Sequence, residues 1–106
     1  MEKQGFEDYR QFFNENGYVL FKNAVDHKTL EIMNSEVSAW IQDSRSHNKN
    51  FGMTIDGRPR FDLELKTHSK DKPALRRIAS PIEISKTFLS FTRDNIALDL
   101  ITQIFS

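Results

Sequence analysis

The chain is 106 residues long, enough for a single domain with a modest core or for part of a larger one. Fifteen basic and fifteen acidic side chains cancel to a net charge of zero, so no overall positive field draws it to nucleic acid or to an anionic membrane. It has no cysteine, which excludes disulfides and thiolate metal sites and fits a reducing cytoplasm.

Met1-Glu2-Lys3-Gln4 leads into a polar helix, not into the apolar run of a signal peptide. No apolar run approaches the roughly 20 residues that span a bilayer. The expectation is therefore a soluble protein of the cytoplasm with no membrane contact. Phe6, Tyr9, Phe12 and Phe13 recur at three- and four-residue steps, the period of one helix face. Asn16-Gly17 is a helix-stop signal. Tyr18-Val19-Leu20-Phe21, rich in strand formers, predicts a short buried strand. Asp26 is expected to cap a helix running to about Gln42, with Leu30, Met33, Val37, Trp40 and Ile41 as its core stripe. Residues 43–50 are polar and without period, a loop that leaves His47 in solvent.

Residues 51–65 predict a hairpin turning at Asp56-Gly57, with Pro59 confined to the turn or to an edge. Phe51, Met53 and Ile55, and then Phe61, Leu63 and Leu65, would line its buried face. Residues 66–73 read as a second polar loop, with His68 exposed. Residues 74–79 form a short strand carrying Arg76 and Arg77. Ser80-Pro81-Ile82-Glu83 has the pattern of a capping box opening a helix, whose apolar face would be Ile84, Phe88 and Phe91. Asp94 is expected to cap the last helix, with Ala97, Leu98, Leu100, Ile101, Ile104 and Phe105 as its apolar set. That surface stays apolar as far as Phe105, where a terminus usually frays into polar residues, so the chain is expected to be the N-terminal portion of a longer protein.

A non-haem iron site needs two histidines and a carboxylate around one face of the metal. His27, His47 and His68 each lie in or beside a polar loop and read as solvent-exposed. No histidine is expected to bind metal. Glycine-rich phosphate loops and nucleophile elbows are absent. Arg58-Pro59-Arg60 and Lys70-Asp71-Lys72 are expected to be solvated charge.

The order of these segments resembles the opening of the phytanoyl-CoA dioxygenase family. The residues that carry the resemblance are Phe12-Phe13-Asn14-Glu15-Asn16-Gly17-Tyr18, the run through Phe21 and the helix capped at Asp26. The linker, the basic strand at Arg76-Arg77, the Pro81-initiated helix and the final apolar helix follow in the family's order. The resemblance implies an α+β fold in which helices pack on a few short strands. Residues 1–106 would be a single partial domain, the N-terminal helical layer and first strands of a double-stranded β-helix of jelly-roll or cupin type. It implies an Fe(II)- and 2-oxoglutarate-dependent hydroxylase of the cytoplasm acting on a small molecule. The family's iron motif, His-x-Asp plus a distant histidine, falls after this stretch. The 106 residues alone are therefore expected to be inactive, with no catalytic or metal residue of their own and no cofactor bound. The one cosubstrate contact implied is Arg77. The family places a lysine on the short strand before this helix, at a similar distance from the phenylalanine here numbered Phe88. An arginine there can grip a carboxylate of 2-oxoglutarate at two points. Because strand side chains alternate, at most one of Arg76 and Arg77 is expected to point inward.

Two other readings compete. One is a non-enzymatic α+β interaction module that self-associates or swaps domains through its C-terminal apolar helix. The other is a nucleic-acid binder built on Arg76, Arg77 and nearby aromatic rings, against which the zero net charge and the lack of a basic stripe argue.

Overall fold

The computed structural model describes residues 5–105, so Met1 to Gln4 and Ser106 lie outside the described residues. The elements are α1 (Phe6–Asn16), α2 (His27–Ser44), β1 (Phe51–Met53), β2 (Pro59–Leu63), β3 (Leu75–Ile78), a 3-10 turn (Pro81–Glu83), α3 (Lys86–Arg93) and α4 (Ile96–Ile104). The three strands form one antiparallel sheet in the order β1-β2-β3. The fold class is α+β. The radius of gyration is 18.0 Å, against about 13 Å for a compact domain of this length, so the molecule is elongated. Among the described residues no helix is long and apolar enough to cross a membrane.

Gly17 ends α1 at φ 80°, and its amide donates to the Phe13 carbonyl at 2.8 Å. Glycine takes that left-handed conformation without the steric penalty of a side chain. The expected strand at 18–21 does not form. Tyr18 and Leu20 are 63% and 70% exposed. No strand lies beside this segment among the described residues, so its rings fold back on α1 instead. Phe21 meets Phe6 and Tyr9 edge-on, with centroids 6.3 and 5.1 Å apart, and Tyr18 meets Phe12 at 5.4 Å. These are the geometries that bring a ring's positive edge to its neighbour's negative face. Phe13 meets Phe105 in the same way at 5.6 Å, which joins α1 to α4.

Asp26 caps α2 as expected, accepting from the Thr29 amide at 2.8 Å. Met33 is buried, whereas Leu30 is exposed. Further along the stripe Trp40 lies between the sheet and α3, 6.3 Å from Phe61 and 5.9 Å from Phe88. The capping box at Ser80 is not made. Ser80 sits at φ 48° with no capping bond, and Pro81–Glu83 closes only a 3-10 turn. The reason is competition: the Glu83 carboxylate is taken by Arg60 at 2.8 Å instead of reaching back to the helix start. The cap of α3 is Ser85, which accepts from the Phe88 amide and donates to Glu36 at 2.6 Å. The cap of α4 is Asn95, not Asp94, and it accepts from the Leu98 amide at 3.0 Å.

The hairpin forms, pairing Phe51 with Phe61 and Met53 with Pro59. Gly52 in β1 has φ 72°, and a Cβ there would come within 2.9 Å of Arg60 Cβ, so both its conformation and its neighbour require glycine. The expected apolar face is only partly covered. Met53, Ile55 and Leu65 are 72%, 87% and 57% exposed, whereas Leu63 is buried and Phe51 and Phe61 are half-buried.

Two histidines expected in solvent are not there. His68 is half-buried: its Nδ1 accepts from the Ala74 amide at 2.8 Å, and its Nε2 meets the Ser44 and His47 carbonyls at 3.0 and 2.9 Å. The tautomer with its proton on Nε2 satisfies all three contacts. His47 stacks flat on Phe51 at 3.5 Å.

Candidate functional site

Even-numbered positions of the hairpin's second arm are Arg58, Arg60, Asp62 and Glu64, a full set of charged side chains on one phase of the strand. Arg60 and Asp62 are buried, at 6% and 7% exposure. A buried charge is tolerated only when it is paired and its donors are satisfied. Arg60 meets that condition. Its Nη1 donates to the Ala79 and Ser80 carbonyls at 3.1 and 2.9 Å, its Nη2 donates to the Met53 carbonyl at 3.1 Å, and the Glu83 carboxylate is the counter-ion. Glu83 also accepts from the Ile55 amide at 3.1 Å. Arg60 thereby ties together the hairpin turn, the exit of β3 and the 3-10 turn, and the expectation that it is solvated is corrected.

Asp62, the next charged position, receives two guanidiniums on one oxygen. Arg77 Nη2 lies 2.6 Å and Arg76 Nη2 3.1 Å from Asp62 Oδ2. Neighbouring residues of a regular strand would point to opposite faces. Here the β2–β3 register is irregular between Asp62 and Leu63, and both long side chains reach the same acid. The two guanidiniums, Arg77 first, hold the Asp62 carboxyl below its usual value. Across the hairpin turn, Asp56 is held low by the Thr54 hydroxyl and then by Arg58, whose Nε donates to Asp56 at 2.9 and 3.0 Å.

Four arginines meet four acids here, but the acids are unevenly shared. Arg58 has Asp56, Arg60 has Glu83, and Arg76 has Glu64 at 3.6 Å besides its share of Asp62. Arg77 has only its share of Asp62 among the described residues. Its side chain is 69% exposed and lies on the wall of a cavity of about 400 Å³ together with Asn50, Arg58, Asp62, Arg76 and Ala79. Asn50 is held there by the Leu63 amide, which donates to its Oδ1 at 2.8 Å. Three guanidiniums and one carboxylate line this cavity, and a guanidinium can take a carboxylate at two points.

Sequence reasoning singled out Arg77 and passed over Asp62 and Arg60. The signal that finds them is the run of charge on the even positions 58–64, opposite a strand that carries two adjacent arginines. Of the three histidines, His47 and His68 meet, through the His47 carbonyl. His27 pairs with Glu31 at 2.8 Å on the exposed side of α2, far in sequence from the His47–His68 contact. Among the described residues no group of three or more histidine, aspartate or glutamate side chains has the geometry to hold a metal ion, so this donor set does not fit iron.

The chain matches no protein-family model, no curated protein and no solved structure.

Proposed function

We propose that this chain supplies the supporting wall of an Fe(II)- and 2-oxoglutarate-dependent hydroxylase of the phytanoyl-CoA dioxygenase type. In this reading the described residues are its N-terminal helical layer and the first strands of a double-stranded β-helix of jelly-roll or cupin type. Arg77 is its cosubstrate contact, and the substrate is a small organic molecule. What carries the reading is the half-partnered Arg77 on an arginine-lined cavity beside an open strand edge. A carboxylate of 2-oxoglutarate would complete the charge that Asp62 divides between two guanidiniums. Part of the expected order supports it: a glycine-stopped aromatic helix, a helix capped at Asp26, a basic strand and a final apolar helix, whereas the strand at 18–21 and the Pro81-initiated helix do not form. The iron ligands come from residues other than these, and no chemical step is assigned to the side chains here.

The test is made at two levels. The 106-residue chain, given Fe(II) and 2-oxoglutarate, is expected neither to bind the metal stoichiometrically nor to consume the oxoacid. The product of the whole reading frame containing these residues is expected to consume it, with Arg77→Gln raising the KM for 2-oxoglutarate. Turnover by the short chain, or none by the whole product, contradicts the reading.

A second reading is favoured by one observation. Ile101 on α4 and Phe105 at its C-terminal end are 50% and 73% exposed, the surface that a self-associating interaction module would use. Sedimentation velocity over a range of concentrations tests it: a concentration-independent monomer contradicts it.

A further inference from the structure

The chain as a whole is neutral, but its charge is not evenly spread. Residues 45–50 and 66–72 carry Arg45, Lys49, Lys66, Lys70 and Lys72 against a single acid, Asp71. The fold brings these two loops together. His68 joins them through Nε2 to the Ser44 and His47 carbonyls, and Arg45 Nη1 donates to the Lys70 carbonyl at 2.7 Å. Between them lies a cavity of about 450 Å³ lined by Arg45, Ser46, His47, His68, Ser69 and Lys70, with no acidic side chain in its wall. Three acids stand near the cluster: Asp43, 3.9 Å from His47 Nε2, Asp71 between Lys70 and Lys72, and Glu64, which accepts from the Lys66 amide at 3.2 Å.

The donors in this wall are not all used. Arg45 Nε is buried and has no hydrogen-bond acceptor among the described residues. A buried N–H left unpaired carries the full cost of its desolvation, and such groups call for a partner. Ser69 Oγ accepts from the Lys72 amide at 3.0 Å, which leaves its proton to donate. Lys70 is exposed and carries a mobile ammonium.

We infer that this cavity binds the phosphate group of a phosphorylated small molecule. Arg45 has donors to spare, since only one bond from its Nη1 is committed, and Ser69 and Lys70 offer others on separate side chains. Donors spread over three side chains suit a tetrahedral anion with several acceptor oxygens, whereas a planar carboxylate is satisfied by one guanidinium edge alone. The basic residues are confined to two loops and form no long row of the kind that tracks a nucleic-acid backbone. The site is separate from the Arg77 cavity and stands independently of the hydroxylase reading.

The test is titration of the ¹⁵N-labelled chain with inorganic phosphate and pyrophosphate at low ionic strength. Saturable shifts are expected at the amides of Ser46, His47, Ser69 and Lys70, and weaken as salt is added. Lys70→Gln, an exposed change that leaves the fold intact, is expected to weaken binding about threefold to fivefold. Arg45→Gln is expected to weaken it further, and Arg77→Gln to leave it unchanged. Shifts that fail to saturate, that acetate reproduces equally, or that survive both Lys70→Gln and Arg45→Gln overturn the inference. Tighter binding of a mixed-sequence RNA oligonucleotide than of pyrophosphate overturns it in favour of a nucleic-acid surface.

Discussion

The two faces of β2 are covered by opposite chemistry. On one, Phe61 stacks on Phe51 at 4.7 Å and lies against Trp40 at 6.3 Å. On the other, Arg60 and Asp62 are as well buried as a core residue, yet every contact named for them is a hydrogen bond or an ion pair. Apolar burial is non-directional and tolerates a poor fit at a graded cost. A buried charge network is directional, and removing one member leaves the others desolvated and unpaired. The charged face should therefore be the less forgiving of the two.

The largest expected effect follows from that difference. Arg60→Met leaves the Glu83 carboxylate and the Met53, Ala79 and Ser80 carbonyls without their donor, at a cost of about 4 kcal/mol, read by urea unfolding. Adding Glu83→Leu to Arg60→Met should recover part of that loss, because an apolar pair replaces an orphaned charge. A loss below about 1 kcal/mol would place Arg60 among ordinary surface arginines. On the aromatic face Leu63→Ala, at a side chain only 2% exposed, is expected to cost about 3 kcal/mol. If it cost more than Arg60→Met, the ranking of the two faces would be reversed.

Smaller effects sharpen the contrast between what the sequence pattern suggests and what the charged face permits. Ser85→Ala removes the observed cap of α3 and should cost about 1 kcal/mol. Ser80→Ala should stay within about 0.5 kcal/mol, since the Ser80 hydroxyl accepts a 3.2 Å bond from the exposed Arg58 and makes no cap. Equal losses would restore the capping box. The smallest effect is in acid. Asp62 is held below its ordinary value of 3.8 by Arg77 and then Arg76, so the unfolded chain takes up the proton first as pH falls. Its contribution to stability is full well above 3.8 and is lost as pH drops through the lowered folded value. Asp62→Asn should flatten the fall of stability with pH in that acid range, and an unchanged slope would contradict the pairing.

The sequence made the helices and the hairpin legible because each is specified locally. A glycine stop at Gly17, an aspartate cap at Asp26 and an Asp-Gly turn all act within a few residues. What it concealed depends on partners distant along the chain. The run at 18–21 has strand composition but no strand beside it. Glu83 fits a capping box until Arg60, on another strand, claims it. His68 looks solvated until the backbone of residues 44–47 folds over it. Arg77 was singled out only through a resemblance. Its ion-pair partner Asp62 was hidden because the polar phase of a hairpin ordinarily faces water.

The most direct test of the half-partnered Arg77 is its own guanidinium resonance. In a ¹⁵N spectrum of the product of the whole reading frame, 2-oxoglutarate is expected to shift the Arg77 Nε signal saturably, with smaller shifts at Arg76 and Asp62, and an uncharged analogue is expected to have no effect. An Arg77 signal that stays in place while 2-oxoglutarate is raised to saturating levels would contradict the account.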